Sequence, residues 1–550
     1  MKIKFALIAI AATGLFAASA GAQSFAITNA RIVTVSGPTI EKGTVVVRDG
    51  LIAAVGVDAK APSDAQVFDG TGLTVYPGFI DALTNVGMQT RTVAGPGGGG
   101  GGGGAAAAAA QQPATQTNSN YPAGLRPELV AADDLRGGDA QFDAVRNAGF
   151  TTVLTVGRTG IFNGRSAIID LAGENVSGMI VREPFAEHVS FATIGGTYPG
   201  SLLGTFSALR QMFLDAQRLQ EIQKMYAANP RGMKRPDADQ SLEALFPVIN
   251  RQMPIVFNAN REIEIVRALD FAKEFNLKAI IGGGQEAWKV ADRLKAQDVP
   301  VLFSLNFPKR TAAASPDADP DSMDLLRFRA ETPKAAARLQ QAGVKFAFQS
   351  GGTTTLADFF SNAGKAVENG LSRDAAVRSM TLGSAEILGV NDRLGSIEIG
   401  KIANLTVVKG DLLGKDRVVS NVFVDGRPFE QKLPAERPGT GRPPATAPGA
   451  LPQVGGNYSI TIEVPGQQLT GTLALAQQAA VLTGSLQTQL GTSPLKDGKV
   501  TPEGFSFSAT VELGGSQIEI NVKGTVTGNQ ISGTIDLPQG TVPFSGTRNP

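Results

Sequence analysis

The residues of this chain with the types and spacing to do chemistry are two acidic side chains, one imidazole, one guanidinium and several amides, gathered near the ends of short apolar runs. The stretch YPGFIDALTNVGM, Tyr76 to Met88, runs a strand into a turn and brings Asp81, Leu83 and Asn85 to its end. VFNANRE sets Asn258 and Asn260 two apart, on one face of a strand, just ahead of Arg261. IIGGGQEAW supplies Gly283, Gln285 and Glu286, and FQSGG supplies Ser350 and Gly351. The one histidine is His188, and there is no cysteine.

Each of these has a plain structural reading beside the chemical one. Asp81 suits a hydrogen-bonding brace at the strand turn. Glu286 opens a helix, where a carboxylate favours the dipole. Arg261 could hold an anionic ligand or form an exposed ion pair. The asparagines could hydrogen-bond one another or a small ligand; a calcium site would demand carboxylates as well. His188 has no histidine, cysteine or carboxylate set close in sequence and reads as a hydrogen-bonded packing residue, since a Ser-His-Asp triad is defined by spatial geometry. The absence of cysteine removes disulfides, thiolate metal sites and cysteine nucleophiles together. GPGGGGGGGG lacks the Lys-Ser/Thr ending of a phosphate loop and carries no nucleotide role.

The 550 residues exceed one ordinary domain, and 42% hydrophobic with 18% charged residues describes a globular chain. A net charge of +1 argues against nucleic-acid binding, which needs a basic surplus. Lys2 and Lys4 precede an apolar run from Phe5 to Phe16, and Ala20-Gly21-Ala22 gives a small-x-small cleavage site. Residues 1–22 therefore read as a signal peptide, and the mature protein as exported, periplasmic or extracellular, with no membrane anchor.

The elements that must position the candidates follow. Residues 24–75 alternate like strands, with a hairpin signal at Asp49-Gly50. Residues 92–120 form a low-complexity insertion. From there to Gly389, amphipathic helices alternate with strands: Asp139–Asn147 before TTVLTVG, the face Ile265, Ala268, Leu269 and Ala272 before LKAIIGG, the same spacing from Ala287 to Leu294, and a helix over Pro333–Gln341 before VKFAFQSG. About eight such units predict parallel pairing in a (β/α)8 barrel. Strand character returns over 390–430, a Pro/Gly/Ala linker spans 431–456, and 457–550 reads as seven or so antiparallel strands in a meander or barrel. Within that tail LTGTL, LTGSL, ISGTI and FSGTR echo one another.

NARIVTVSG, GTVVVRDGLIAAVG, YPGFIDALTNVG, GFTTVLTVG, SRDAAVRSMTLGSAEILGVNDRLGSIEIGKIANLTVVKGD and VFVDGRPF, in that order, resemble the amidohydrolase superfamily over residues 24–430, in particular its secreted imidazolonepropionase- and prolidase-like members. The resemblance implies an α/β fold: a (β/α)8 TIM barrel over 76–389, with 23–75 and 390–430 joined as a composite β-sandwich, and the all-β domain following as an addition. It also implies hydrolysis of C–N bonds by one or two divalent metals at the barrel mouth, where the metal lowers the pKa of bound water.

Carried over position by position, the resemblance places Leu83, Asn85, Asn258, Asn260, Gly283 and Gly351 where the family has its metal ligands and catalytic aspartate. None of them supplies imidazole or carboxylate. The expectation is a chain with no metal and no cofactor that has lost metal-dependent catalysis. It would use Asn85, Asn258, Asn260, Arg261, Gln285 and Ser350 to bind an amide- or peptide-like molecule, or pair with an active relative or a second copy. Two alternatives stand: C–N hydrolysis through carboxylates such as Asp81 and Glu286, and a binding or adhesion role led by the C-terminal β domain.

Overall fold

A computed structural model describes residues 24–88, 121, 124–138, 140–173, 175–191, 199–310, 321–352, 355–430 and 452–548, apart from the short turns 465–466, 489–490, 502–503, 514–515 and 538–539. The signal peptide (1–22), the low-complexity insertion (92–120) and residues 431–451 of the linker lie outside the described residues. Two compact units divide the chain, Met1–Lys432 and Leu433–Pro550.

The first unit opens with β1 (Phe25–Ile32), β2 (Ile40–Arg48), β3 (Leu51–Gly56), β4 (Gln66–Asp69) and β5 (Leu73–Pro77). Helices then interrupt β6 (Phe79–Thr84), β7 (Phe150–Thr155), β8 (Phe162–Arg165), β9 (Ala167–Asp170), β10 (Ile180–Arg182), β11 (Glu187–Ser190), β12 (Ile255–Ala259), β13 (Ala279–Gly283), β14 (Val301–Ser304) and β15 (Phe346–Gln349). The last three strands are β16 (Leu405–Lys409), β17 (Val418–Val424) and β18 (Arg427–Glu430).

Both ends of this unit build one sheet, ordered β18-β17-β16-β5-β1-β2-β3, with β4 beside β1. The turn between β2 and β3 puts Asp49 and Gly50 at φ +54° and +80°. That is the left-handed pair a tight hairpin requires, and Asp and Gly adopt it with least strain.

Strands β11 to β15 pair in parallel with one another in chain order, and β6 pairs in parallel with β7; the expected parallel pairing does not extend to β8, β9 and β10, since β8 pairs antiparallel with β11, β9 with β7 and β10 with β9. Helices 262–274, 291–296 and 323–342 make the crossovers between β12 and β15. These strands are buried on both faces, as parallel strands covered by helices must be. One face sends Val153, Val189, Phe257, Ile281, Phe303 and Phe348 into the main core with the helices. The other sends Ala82, Leu83, Leu154, Val256, Ile280, Leu302 and Ala347 into a separate aliphatic cluster.

Three readings of local structure need correction. The helix expected at Pro333–Gln341 begins at Met323, capped by Ser322 Oγ accepting from Leu325 N at 3.3 Å, and carries Pro333 in its interior. The Ala287–Leu294 repeat is a 3-10 turn (Ala287–Val290) followed by a short helix (Ala291–Ala296), not one continuous helix. The 27-residue helix Leu202–Ala228 went unread.

The second unit has eight strands, not seven: β19 (Gly456–Val464), β20 (Gln467–Gln478), β21 (Val481–Thr488), β22 (Gly491–Thr501), β23 (Gly504–Leu513), β24 (Ser516–Thr527), β25 (Gln530–Leu537) and β26 (Gly540–Arg548). They close into an antiparallel barrel in which β26 returns to β19. Closure removes the sheet edges that an open meander would expose. Its core takes alternate residues, such as Tyr458, Ile460 and Ile462 on β19.

Candidate functional site

The end of β6 meets the end of β15 through a carboxylate. Asp81 Oδ2 accepts from Ser350 Oγ at 2.5 Å, and Oδ1 accepts from Ser350 N at 2.9 Å and Leu83 N at 3.3 Å. Gly351 N then donates to Leu83 O at 2.9 Å, and Gly352 N to Ser350 Oγ at 3.0 Å. Burial pushes the Asp81 carboxyl up to about 6, although the Ser350 and Leu83 hydrogen bonds pull the other way. Asp81 therefore ties two strands together, with three donors converging on its carboxylate, and is not aimed at a substrate.

A second network joins β8, β11 and β12. Asn258 Nδ2 donates to Asn163 Oδ1 and to Ser190 Oγ, each at 3.1 Å. Ser190 Oγ donates to Asn163 Oδ1 at 2.7 Å, and Asn163 Nδ2 donates to Gly160 O at 3.2 Å. The register explains the meeting, since Ser190 lies opposite Asn258 in the parallel pair. Sequence reasoning missed Asn163 and Ser190. Nothing in their local pattern marks them, because the contact spans 95 residues.

Asn85, Asn258 and Asn260 each lean against a glycine. A Cβ on Gly282 would lie 2.6 Å from Asn258 Oδ1 and 3.3 Å from Leu83 Cδ2. A Cβ on Gly283 would overlap Asn260 Oδ1, and one on Gly352 would overlap Asn85 Oδ1 and approach Arg158 Nη2 to 2.5 Å. Leu83, Asn85, Asn258, Asn260, Gly283 and Gly351 thus meet at one end of β6, β12, β13 and β15. Leu83 itself points into the aliphatic cluster. Arg158, another residue the sequence did not single out, is exposed beside Asn85, and among the described residues it has no ion-pair partner.

Other candidates are engaged elsewhere. The Arg261 guanidinium stacks 3.8 Å from the Phe328 ring centroid and lies 3.4 Å from Glu286 Oε1. Glu286 Oε2 accepts from Glu262 N at 2.9 Å, so it caps the helix that follows β12 instead of the helix after it. Burial pushes the Glu286 carboxyl up, and the Glu262 N–H with Lys289 and Arg261 outweighs this, leaving it below the usual range. Gln285 Nε2 donates to Asn306 O at 2.8 Å, a loop brace. His188 is fully buried, with Nε2 2.9 Å from Ser166 Oγ, and burial pushes its imidazole down to about 3. It is neutral near pH 7.

The residues at this site do not fit the divalent metals that the resemblance implies. Leu83 has no donor, two positions have no side chain, and three offer neutral amides; transition metals require imidazole, thiolate or carboxylate in sets of three or more. No such group of His, Cys, Asp and Glu occurs among the described residues.

Comparison with known proteins agrees with the architecture. The model of the amidohydrolase family matches residues 318–429. No curated protein matches the sequence. An amidohydrolase from Thermotoga maritima has a crystal structure similar to this one, at a TM-score of 0.61 and 24% identity over 74% of this chain and 100% of that one. A Xaa-Pro dipeptidase with bound methionine aligns at 17% identity and a TM-score of 0.44 over 74% of this chain and 100% of its own. That match is too distant to add to the argument.

Proposed function

We propose that this chain belongs to the amidohydrolase superfamily, whose family model matches residues 318–429, and that its first unit is a (β/α)8 barrel that keeps the family's mouth as a binding site and has given up metal-dependent hydrolysis. The fold reading is supported by the parallel run of β11 to β15, the Asp81–Ser350 tie between β15 and β6, and the similarity to the Thermotoga structure. The sheet that unites residues 25–77 with 405–430 supports a composite N- and C-terminal sandwich.

The observation that carries the functional reading is the Asn–Gly interlock. Where the family needs ligands, neutral amides occupy the room that neighbouring glycines leave. Among the described residues such a mouth has no group to generate hydroxide near neutral pH, yet it offers amide donors and acceptors at Asn85 and Asn258, and a cation at Arg158. That set suits a peptide- or amide-like molecule with a carboxylate, which a guanidinium holds by paired hydrogen bonds. The protein is exported and acts as a binding subunit, alone or beside an active relative.

The test is calorimetric titration of purified protein with dipeptides and N-acyl amino acids, alongside elemental analysis. Binding is expected to weaken at least tenfold in Arg158→Met. Stoichiometric zinc together with chelator-sensitive hydrolysis of those compounds would overturn the reading.

A further inference from the structure

The geometry points to a second binding site, on the outer wall of the C-terminal barrel, for an uncharged polyhydroxyl chain such as a neutral oligosaccharide. It is independent of the barrel mouth.

A trough of about 910 Å³ runs across β21, β20, β19, β26 and β25. Alternation assigns most of its lining to the outer face, with Ile460, Gly471, Thr488, Ile531 and Gly546 at its floor belonging to the inward-facing set. Tyr458, Ile460 and Ile462 fill the barrel core, so Ser459 and Thr461 point outward. Registers align the outward residues in two rows across the strands. One row is Gln487, Thr472, Ser459, Thr547 and Gln530; the other is Thr470, Thr461, Ser545 and Ser532. Neighbours along a row sit one strand spacing apart, about 4.8 Å.

The echoed tail motifs place the hydroxyls that line the trough. In LTGTL, ISGTI and FSGTR, a hydroxyl residue stands on each side of a glycine that faces the core. Gly471 and Gly546 both lie opposite Ile460. A Cβ on Gly471 would come 2.6 Å from Gln487 O, and one on Gly546 would overlap Ser459 O and approach Ile460 Cγ2 to 2.8 Å. The missing side chains let neighbouring strands and Ile460 pack closely at these points.

The chemistry of the lining selects the occupant. Among the described lining residues none is charged, which disfavours phosphates, sulfated chains and acidic peptides, and none is aromatic, so no base or ring has a stacking platform. The barrel is closed, so no strand edge is offered to an extended peptide. What the wall does offer is hydroxyls. Thr461, Thr470, Thr472, Ser532, Ser545 and Thr547 line the trough, and their side-chain hydroxyls have no hydrogen-bond partner among the described residues. Each hydroxyl both donates and accepts, as does each hydroxyl of a neutral sugar.

The experiment uses the full-length protein and calorimetry with cello-, malto- and chito-oligosaccharides, with heparin as a charged comparison. Saturable binding of at least one neutral oligosaccharide is expected. Ser532→Lys and Ser545→Lys should each weaken it at least tenfold with an unchanged melting temperature. Thr534→Lys, on the same face of β25 but outside the trough, should leave it intact, and Arg158→Met should leave it intact too. Failure of all three neutral series to bind at millimolar concentration, preference for heparin, or binding indifferent to both trough variants would overturn the proposal.

Discussion

Asn258 and Gly282 interlock across β12 and β13: the asparagine carbonyl oxygen lies 2.6 Å from where a Cβ on the glycine would stand, with Val256 Cγ1 at 3.2 Å and Leu83 Cδ2 at 3.3 Å from the same point. Any side chain at 282 must push into a hydrogen-bonded amide and two packed methyl groups. Gly282→Ala is expected to destabilise the first unit by about 1–3 kcal/mol, the usual cost of overpacking. Asn258→Ala removes the obstructing oxygen, so the double variant should lose measurably less than the two single losses added together. Urea unfolding of the four proteins checks this. Strict additivity would mean that the two residues do not share the space.

His188 sets an acid limit on stability. Its imidazole falls from the ordinary 6.5 to about 3 because burial disfavours the charged form. The unfolded chain therefore binds a proton that the fold refuses. The contribution is fully present above pH 6.5 and is lost as the pH falls toward 3. By pH 5 the loss is about 2 kcal/mol. Asp81 works against it: its carboxyl rises from 3.8 to about 6, so its contribution is present below 3.8 and is lost as the pH rises through 6. His188→Gln, which keeps a donor for Ser166, should remove the first effect and leave the second. Stability measured at pH 7 and pH 5 should then show the variant gaining about 2 kcal/mol on the parent protein over that interval, because the buried carboxyls contribute equally to both.

Some of this was legible in the residues and some was not. The YPGFIDALTNVG and FQSGG motifs located the strand ends, because turn glycines and apolar runs are local signals. The partners of those strand ends were not legible. Asn163 reaches Asn258 across 95 positions, and Arg158 sits in VGRTG with nothing around it to announce a role. Pro333 misled the reading because proline is rare in a helix interior, yet here capping at Ser322 and packing of Ala335, Ala336 and Leu339 sustain the helix through it. The long helix 202–228 escaped because its buried face (Thr205, Ala208, Leu209, Met212, Phe213, Ala216) occupies only the first half of its length.

Asp170 and Asp425 share a hydrogen bond, and burial together with their mutual repulsion raises the Asp170 carboxyl well above its usual range. Asp170 also accepts from Thr152 Oγ1 at 2.5 Å and Asn404 Nδ2 at 3.1 Å, but the hydrogen bond between the two carboxyls raises Asp170 and lowers Asp425, so Asp170 is the partner that carries the proton. A carboxyl kept protonated by the fold stabilises at low pH and loses that contribution as the pH rises through its folded value. Asp425 sits at φ +50°, a conformation that asparagine tolerates well. Asp425→Asn gives Asp170 a neutral hydrogen-bond partner and is expected to raise stability at pH 8 by about 1 kcal/mol. At pH 4 it should change little, and Asp425→Ala should be destabilising at both.

Introducing metal ligands one strand at a time is expected to fail, for a reason lodged in the backbone. Leu83→His with Asn85→His places two imidazoles at the end of β6, but a transition-metal site needs a third and usually a fourth donor from other strands. Gly283 holds φ +99°, and a side chain there would collide with Asn260; Gly351 holds φ +63°. Histidine at 283 must therefore bear backbone strain of about 1–3 kcal/mol and displace an asparagine before it can bind anything. The double variant should retain less than one zinc per ten chains after dialysis against micromolar zinc, and adding Gly283→His should lower the melting temperature without filling the site. Near-stoichiometric zinc in the double variant, seen by elemental analysis, would mean that donors not counted here already face that end of the strands.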